Sequence, residues 1–193
     1  MQSIRDDIVR AGAVFGRTAL DMVFGEGPNG ARVMLVGEAP GAEETRLSRP
    51  FIGKAGKNLD AFLQALMLSR VDIYITNVVK FRPYKVSAKG SLSNRPPAKE
   101  EISCMLPCLL REIETVAPRV VVTLGNVPLK SLTGDNRIVI GSCHAQCIPA
   151  RALTHEYTLF PLYHPASLIY NPAIKPVYWQ DIECLKQYLL DMP

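Results

Sequence analysis

The sequence predicts an α/β fold: three layers, α/β/α, around a central, mostly parallel four-stranded sheet, in a single domain spanning residues 1–193. Three observations carry this. Short β-branched or apolar runs end at Gly, Asn or Pro turns, apolar stripes at helical spacing lie between them, and the two kinds of segment alternate along the chain. Alternation of this kind is the pattern of parallel strands covered by helices on both faces. A length of 193 residues suits one core better than two.

Residues 32–36, RVMLV, read as a buried strand that stops at Gly37-Glu38-Ala39-Pro40-Gly41. From Ala55 onward, Leu59, Phe62, Leu63, Leu66 and Met67 recur at three and four residues, the stripe of a helix packed on one face. Residues 72–79, DIYITNVV, are rich in β-branched side chains and form the second strand. The Pro- and Gly-containing segment 80–97 is a loop. After Ala98 a long stripe of Ile102, Met105, Leu106, Leu109, Leu110, Ile113 and Val116 predicts a helix, with Glu100 and Glu101 at the positive end of its dipole. Pro107 lies off that stripe and should kink or loosen the helix without abolishing it. Residues 119–124, RVVVTL, are a third strand ending at Gly125-Asn126, followed by a short helix through Leu132. Residues 137–150 read as an irregular or hairpin excursion, 156–163 as the fourth strand and 174–190 as a closing helix.

The hydrophobic fraction of 48% and charged fraction of 21% exclude a disordered chain and promise a proper core. No run approaches the roughly 18 apolar residues of a membrane span, and acids stand near the N-terminus where a signal peptide would be apolar. A cytoplasmic protein without a membrane partner is expected. Five cysteines, an odd number, argue for thiols or a metal site rather than a disulfide framework. The net charge of +4 is unevenly placed: Lys80, Arg82, Lys85, Lys89, Arg95 and Lys99 stand together with no acid among them, and the rest of the chain is slightly acidic. A local basic footprint of this kind suits phosphates.

In a parallel sheet, ligands bind beyond the carboxyl ends of the strands. The turn 37–41, Thr76-Asn77, Gly125-Asn126 and His164-Pro165 all stand at such ends, so four strand ends should converge on one cleft.

Four motifs in order, Gly37-Glu38-Ala39-Pro40-Gly41, Arg49-Pro50-Phe51-Ile52-Gly53-Lys54-Ala55-Gly56, Ile75-Thr76-Asn77-Val78-Val79-Lys80 and His164-Pro165-Ala166-Ser167-Leu168, resemble those of family 4 uracil-DNA glycosylases. The resemblance runs from about Val33 to Tyr188. It implies a monomeric enzyme of base excision repair that hydrolyses the N-glycosidic bond of uracil in DNA. Such a reaction builds positive charge on the sugar and negative charge on the departing base. The resemblance makes Glu38 and His164 the catalytic pair: Glu38 to orient or deprotonate a water and stabilise the sugar cation, His164 to donate a hydrogen bond to a uracil carbonyl as a neutral imidazole. Asn77 offers both a donor and an acceptor to the uracil edge. Phe51 gives a flat face to the flipped base, and Ala39 and Gly41 leave room for close backbone approach. Glu44 and Asn94 also match family positions, which would make them substrate-binding residues; helix-cap or loop roles fit them equally. Lys80, Arg82, Lys85, Lys89 and Arg95 would lie over DNA phosphates, with Arg46, Arg49, Lys54 and Lys57 extending that surface. Ser167 and Leu168 would wedge into the space the base vacates.

The chain departs from the family in several places. Family 4 members usually carry four cysteines for a [4Fe–4S] cluster, two near the N-terminus, one after Val-Val-Lys and one in the next helix. No cysteine precedes Cys104 here; Phe81 stands at the third position, and Met105 at the fourth with Cys104 one residue off. The cluster is expected to be absent. Cys104, Cys108, Cys143 and Cys147, with His144, lack the compact spacing of a zinc ribbon, so zinc is not expected either. Tyr170 stands where relatives often have Arg. The long 80–97 loop resembles a cross-linking branch that carries a nucleophilic His in this region, but Asn94 occupies the corresponding place and no His lies between Met1 and Gly141, which disfavours a covalent trap. Three rival readings remain: an inactive paralogue that binds DNA or protein, a glycosylase for another deaminated base and, weakest, a zinc-dependent module built on the four paired cysteines.

Overall fold

A computed structural model describes residues 1–192, and of these the side chains of all but 54, 55 and 57. Lys54 and Lys57, expected at the DNA surface, lie with their side chains outside that description.

The central sheet is built on three short strands with no exposed residue, β1 (Val33–Gly37), β2 (Tyr74–Asn77) and β5 (Val120–Leu124), all parallel. β7 (His155–Leu162) runs parallel to β5, and β6 (Ile148–Ala152) pairs antiparallel with β7, giving the order β2-β1-β5-β7-β6. The sheet therefore has five strands, not the four expected. The extra strand begins within the segment 137–150 that reads as an irregular or hairpin excursion, and it pairs with β7 as a hairpin arm. IPARA alternates half-buried and exposed residues and carries Pro149 and Arg151, a composition tolerated at a sheet edge and too polar to announce a buried strand.

Both faces of the sheet are covered, because successive side chains of a strand point to opposite sides. From β1, Met34 and Val36 face a cluster that includes Ile4 and Ile8 of α1 (Gln2–Ala13) and Met105, Leu109 and Ile113 of α4 (Lys99–Val116). Val33 and Leu35 face the opposite cluster, with Leu59, Phe62 and Leu63 of α3 (Lys54–Ala65) and Tyr178, Ile182 and Leu185 of α8 (Lys175–Asp191). α5 (Asn126–Thr133) closes the first layer through Leu129. Pro107 is accommodated in the continuous helix α4. α1 was not foreseen, since its buried stripe is only Ile4, Ile8 and Gly12. The short helices α2 (Ala42–Leu47), α6 (Ile140–Cys143) and α7 (Ser167–Tyr170) decorate strand ends.

Outside the sheet, the 80–97 segment is not a featureless loop: β3 (Tyr84–Val86) and β4 (Leu92–Asn94) make an antiparallel hairpin. On the outer side of β2, residues 22–26 complete the pairing: Glu26 and Ile75 exchange backbone hydrogen bonds of 3.0 and 2.8 Å, and Val23 N–H donates to the Lys80 carbonyl at 2.6 Å. No helix among the described residues is long and apolar enough to cross a membrane.

Candidate active site

The parallel strands deliver the first motif to the carboxyl edge of the sheet, where β1 ends at Gly37 and Glu38 follows. Val78 N–H donates to the Gly37 carbonyl at 2.9 Å and Val79 N–H to the Glu38 carbonyl at 3.1 Å, so the Glu38 backbone is tied to the segment that follows β2. A cavity of about 210 Å³ opens here, lined by Glu38, Ala39, Pro40, Pro83, Asn94, Arg95 and His164. Glu38, Ala39, Asn94 and His164 thus line one cavity.

His164 stands two residues past the end of β7. Its Nδ1 accepts a hydrogen bond from the Ala166 N–H at 3.1 Å, and its own carbonyl accepts from the Ser167 N–H at 2.8 Å. A ring nitrogen that accepts from an amide carries no proton, so the neutral ring bears its hydrogen on Nε2. Burial pushes the ring's pKa down to about 4, which keeps it neutral at physiological pH. The turn is braced from α3, where the Asn58 amide donates to the Pro165 carbonyl at 3.1 Å. Just before it, the Tyr163 ring packs on His144, whose Nδ1 lies 2.9 Å from the Asp181 carboxylate on α8. Burial raises the Glu38 carboxyl above the usual carboxylate range, with no cation holding it down.

Phe51 and Asn77 are buried, 5% and 3% exposed, and are not among the residues that line that cavity. They meet over Gly37: a β-carbon there would stand 2.4 Å from both Asn77 Oδ1 and Phe51 Cζ, so only glycine admits both. The Asn77 amide makes no hydrogen bond among the described residues and keeps its donor and acceptor free. The Phe51 ring faces that of His164 at 6.0 Å and 29°. Phe51 has a positive φ of 53°, a strained geometry for an aromatic residue. Arg70 holds it there, donating to the carbonyls of Phe51 and, at 3.2 Å, Pro50 while its Nε binds Asp60 at 2.8 Å. Gly56 makes room: a β-carbon at that position would lie 2.1 Å from the Phe51 oxygen. Nothing in the sequence singled out Arg70.

Glu44 takes the helix-cap part: it closes a capping box with Gly41 at the start of α2. Its two carboxylate oxygens accept from the N–H groups of Gly41 at 3.2 Å and Gly53 at 3.0 Å. It straps the first motif to the Phe51 segment. Asn94, on β4, accepts from Arg82 Nε at 2.7 Å, which fixes the base of the hairpin beside the cavity.

The basic footprint needs correction. Lys80 is fully buried, paired with Glu112 of α4, and cannot reach DNA. Arg95 forms a fork of two 2.7 Å hydrogen bonds with Glu101, whose carboxyl that guanidinium holds below its usual range. Arg46 and Arg49 are engaged by Glu43 and Glu26. Arg82, Lys85 and Lys89 remain on or beside the hairpin, the two lysines exposed. Ser167 and Leu168 begin α7, but Leu168 is half-buried against the α3 and α8 side of the core; the exposed apolar side chains of that turn are Ile169 and Tyr170.

Where the family resemblance would put cluster ligands, the chain has core. Phe81 and Met105 are fully buried beside Met22, and Phe81 packs on the Phe15 ring at 5.6 Å. Arg17 lies over the rings of Phe81 and Tyr84. The Cys104 thiol points to the Ala11 carbonyl at 3.7 Å. Among the described residues no three His, Cys, Asp or Glu side chains are grouped to hold a metal ion. These residues do not fit an iron–sulfur cluster.

Comparison with known proteins agrees with this geometry. A model of the uracil DNA glycosylase superfamily matches residues 24–183. The chain is 35% identical to a type-4 uracil-DNA glycosylase of Saccharolobus solfataricus, over 89% of this chain and 77% of that one. It is 37% identical to its Pyrobaculum aerophilum counterpart, over 83% and 79%, and 32% identical to that of Archaeoglobus fulgidus, over 95% and 92%. A chain matched at this identity over nearly its whole length, with the motif residues gathered at one strand edge, belongs to the uracil DNA glycosylase superfamily.

Proposed function

We propose that the protein hydrolyses the N-glycosidic bond of uracil in DNA, as the names of its relatives suggest, with Glu38 and His164 as the catalytic pair. The observation that carries this reading is the state of His164. Its Nδ1 is occupied by the Ala166 N–H, so its Nε2–H is the atom left to donate to a uracil carbonyl as negative charge develops on the departing base. Because the ring is neutral, it stabilises that charge by a hydrogen bond and holds its proton throughout. Glu38 shares the cavity, and its ionised form would stabilise the sugar cation and take the proton of the attacking water. The Asn77 amide, without a hydrogen-bond partner among the described residues, would donate to one edge atom of uracil and accept from another; cytosine presents the opposite pattern. Phe51 would carry the face of the flipped base.

DNA would approach over the hairpin and α7. Arg82, Lys85 and Lys89 support a phosphate track there, and Ile169 and Tyr170 offer apolar surface at the site of the lost base. A working monomer is part of this reading. Five free thiols support a reducing compartment, the cytoplasm. The packing of Phe81, Phe15 and Met105 supports a glycosylase that works without an iron–sulfur cluster.

The test is incubation with oligonucleotides containing one uracil, in single and double strands, followed by alkaline cleavage of abasic sites. Strand scission that disappears in Glu38→Ala and His164→Ala is the expected result. A folded protein that retards DNA and releases no base from either substrate would overturn the proposal in favour of a binding paralogue.

A further inference from the structure

We infer that Lys80 is a positioning residue for uracil recognition, acting through a buried clamp beneath Asn77. Its side chain is fully enclosed, yet all three ammonium hydrogens have partners: the Asn77 carbonyl at 2.6 Å, the Thr76 hydroxyl at 2.6 Å and the Glu112 carboxylate. The Thr76 hydroxyl passes its own hydrogen to Glu112 at 3.0 Å, and Tyr74 approaches the other carboxylate oxygen at 3.5 Å. The clamp thus closes the turn 76–80 on itself and pins it to α4.

A buried ion pair is an inefficient way to gain stability, because desolvating two charges offsets most of their attraction, and an apolar pair of similar size often does as well. What such a pair does supply is a fixed place for the groups it touches. Here those groups are the peptide of Asn77 and, through the 2.9 and 3.1 Å hydrogen bonds from Val78 and Val79, the backbone of Gly37 and Glu38. Among the described residues the Asn77 side chain has no hydrogen bond to orient it, so its aim depends on where its backbone is held and on the Gly37 and Phe51 packing beside it. A small displacement misaligns a donor and an acceptor that must meet two edge atoms at once.

The inference rests on the proposed glycosylase reading, and the double variant Lys80→Met/Glu112→Leu separates the two. It removes both charges together, so no unpaired ion is left in the core. Expected are a melting temperature close to that of the parent and unchanged affinity for abasic DNA. Single-turnover release of uracil should fall, and inhibition by free uracil weaken, each at least roughly tenfold, equivalent to about 1.4 kcal/mol. A purely structural clamp would move neither of the last two in a folded variant; parental rates and parental inhibition by uracil overturn the inference. Should the double variant not fold, Thr76→Val removes one contact of the ammonium while preserving shape. A severalfold loss of single-turnover rate with unchanged DNA affinity supports the clamp, and an unchanged rate overturns it. If the parent protein releases no uracil, it is the glycosylase reading that fails.

Discussion

The amide of Ala166 donates to Nδ1 of His164 at 3.1 Å, so the backbone of the His-Pro turn itself selects which ring nitrogen carries the proton. Burial adds the second constraint, keeping the ring uncharged down to about pH 4. In an NMR titration the His164 ring should therefore remain neutral, with its proton on Nε2, through the range where an ordinary histidine charges. The linkage has a sign. The folded-state value lies below the unfolded value of 6.5, so the unfolded chain binds the extra proton first, and His164 contributes a loss of stability as pH falls from about 6.5 to about 4. Replacing His164 by Asn should flatten stability across that window.

Glu38 titrates in the opposite sense. Its carboxyl is raised by burial alone, so activity should decline on the acid side at a pH above the ordinary glutamate value, as the carboxylate takes up a proton. The pH profile of single-turnover uracil release checks this. Glu38→Gln should lower that rate by roughly 100-fold or more and remove the acid limb.

Glu44→Ala leaves the N–H groups of Gly41 and Gly53 without an acceptor, at a cost of about 1–3 kcal/mol. Chemical denaturation should report that loss, and uracil release should slow as the first motif separates from the Phe51 segment.

Gly56→Ala is a sharper test of the same segment. A methyl group 2.1 Å from the Phe51 oxygen must displace the residue from its left-handed conformation. A stability loss of about 2 kcal/mol or more is expected, together with weakened binding of free uracil.

The hairpin charges should separate cleanly by burial. Lys85→Ala and Lys89→Ala are expected to weaken DNA binding and each reduce the slope of log affinity against log salt by roughly 1. Arg95→Ala should instead lower the melting temperature by stranding Glu101, which is buried, and leave the salt slope unchanged.

Much of this architecture was legible in the sequence because buried parallel strands advertise themselves as unbroken apolar runs. RVMLV and RVVVTL could be little else. β6 and α1 were not legible, the first for its polar alternation and the second for its two-residue apolar stripe. At the site, residue types that need one another chemically were recognisable together, whereas charge could be counted but its burial could not. Lys80 and Arg95 therefore joined the surface charges in the sequence and left them in the fold. A signal existed: Glu112 falls on the buried stripe of α4 between Leu109 and Ile113, and a carboxylate there requires an internal cation.

Both margins of the sheet are occupied or blunted: residues 22–26 close the side of β2, and β6, with Pro149 and Arg151, ends the other. A strand from a second molecule thus finds no long, flat, apolar ladder on which to grow. The protein should resist cross-β association and strand exchange when concentrated or warmed, and any aggregation should begin only after its margins have frayed.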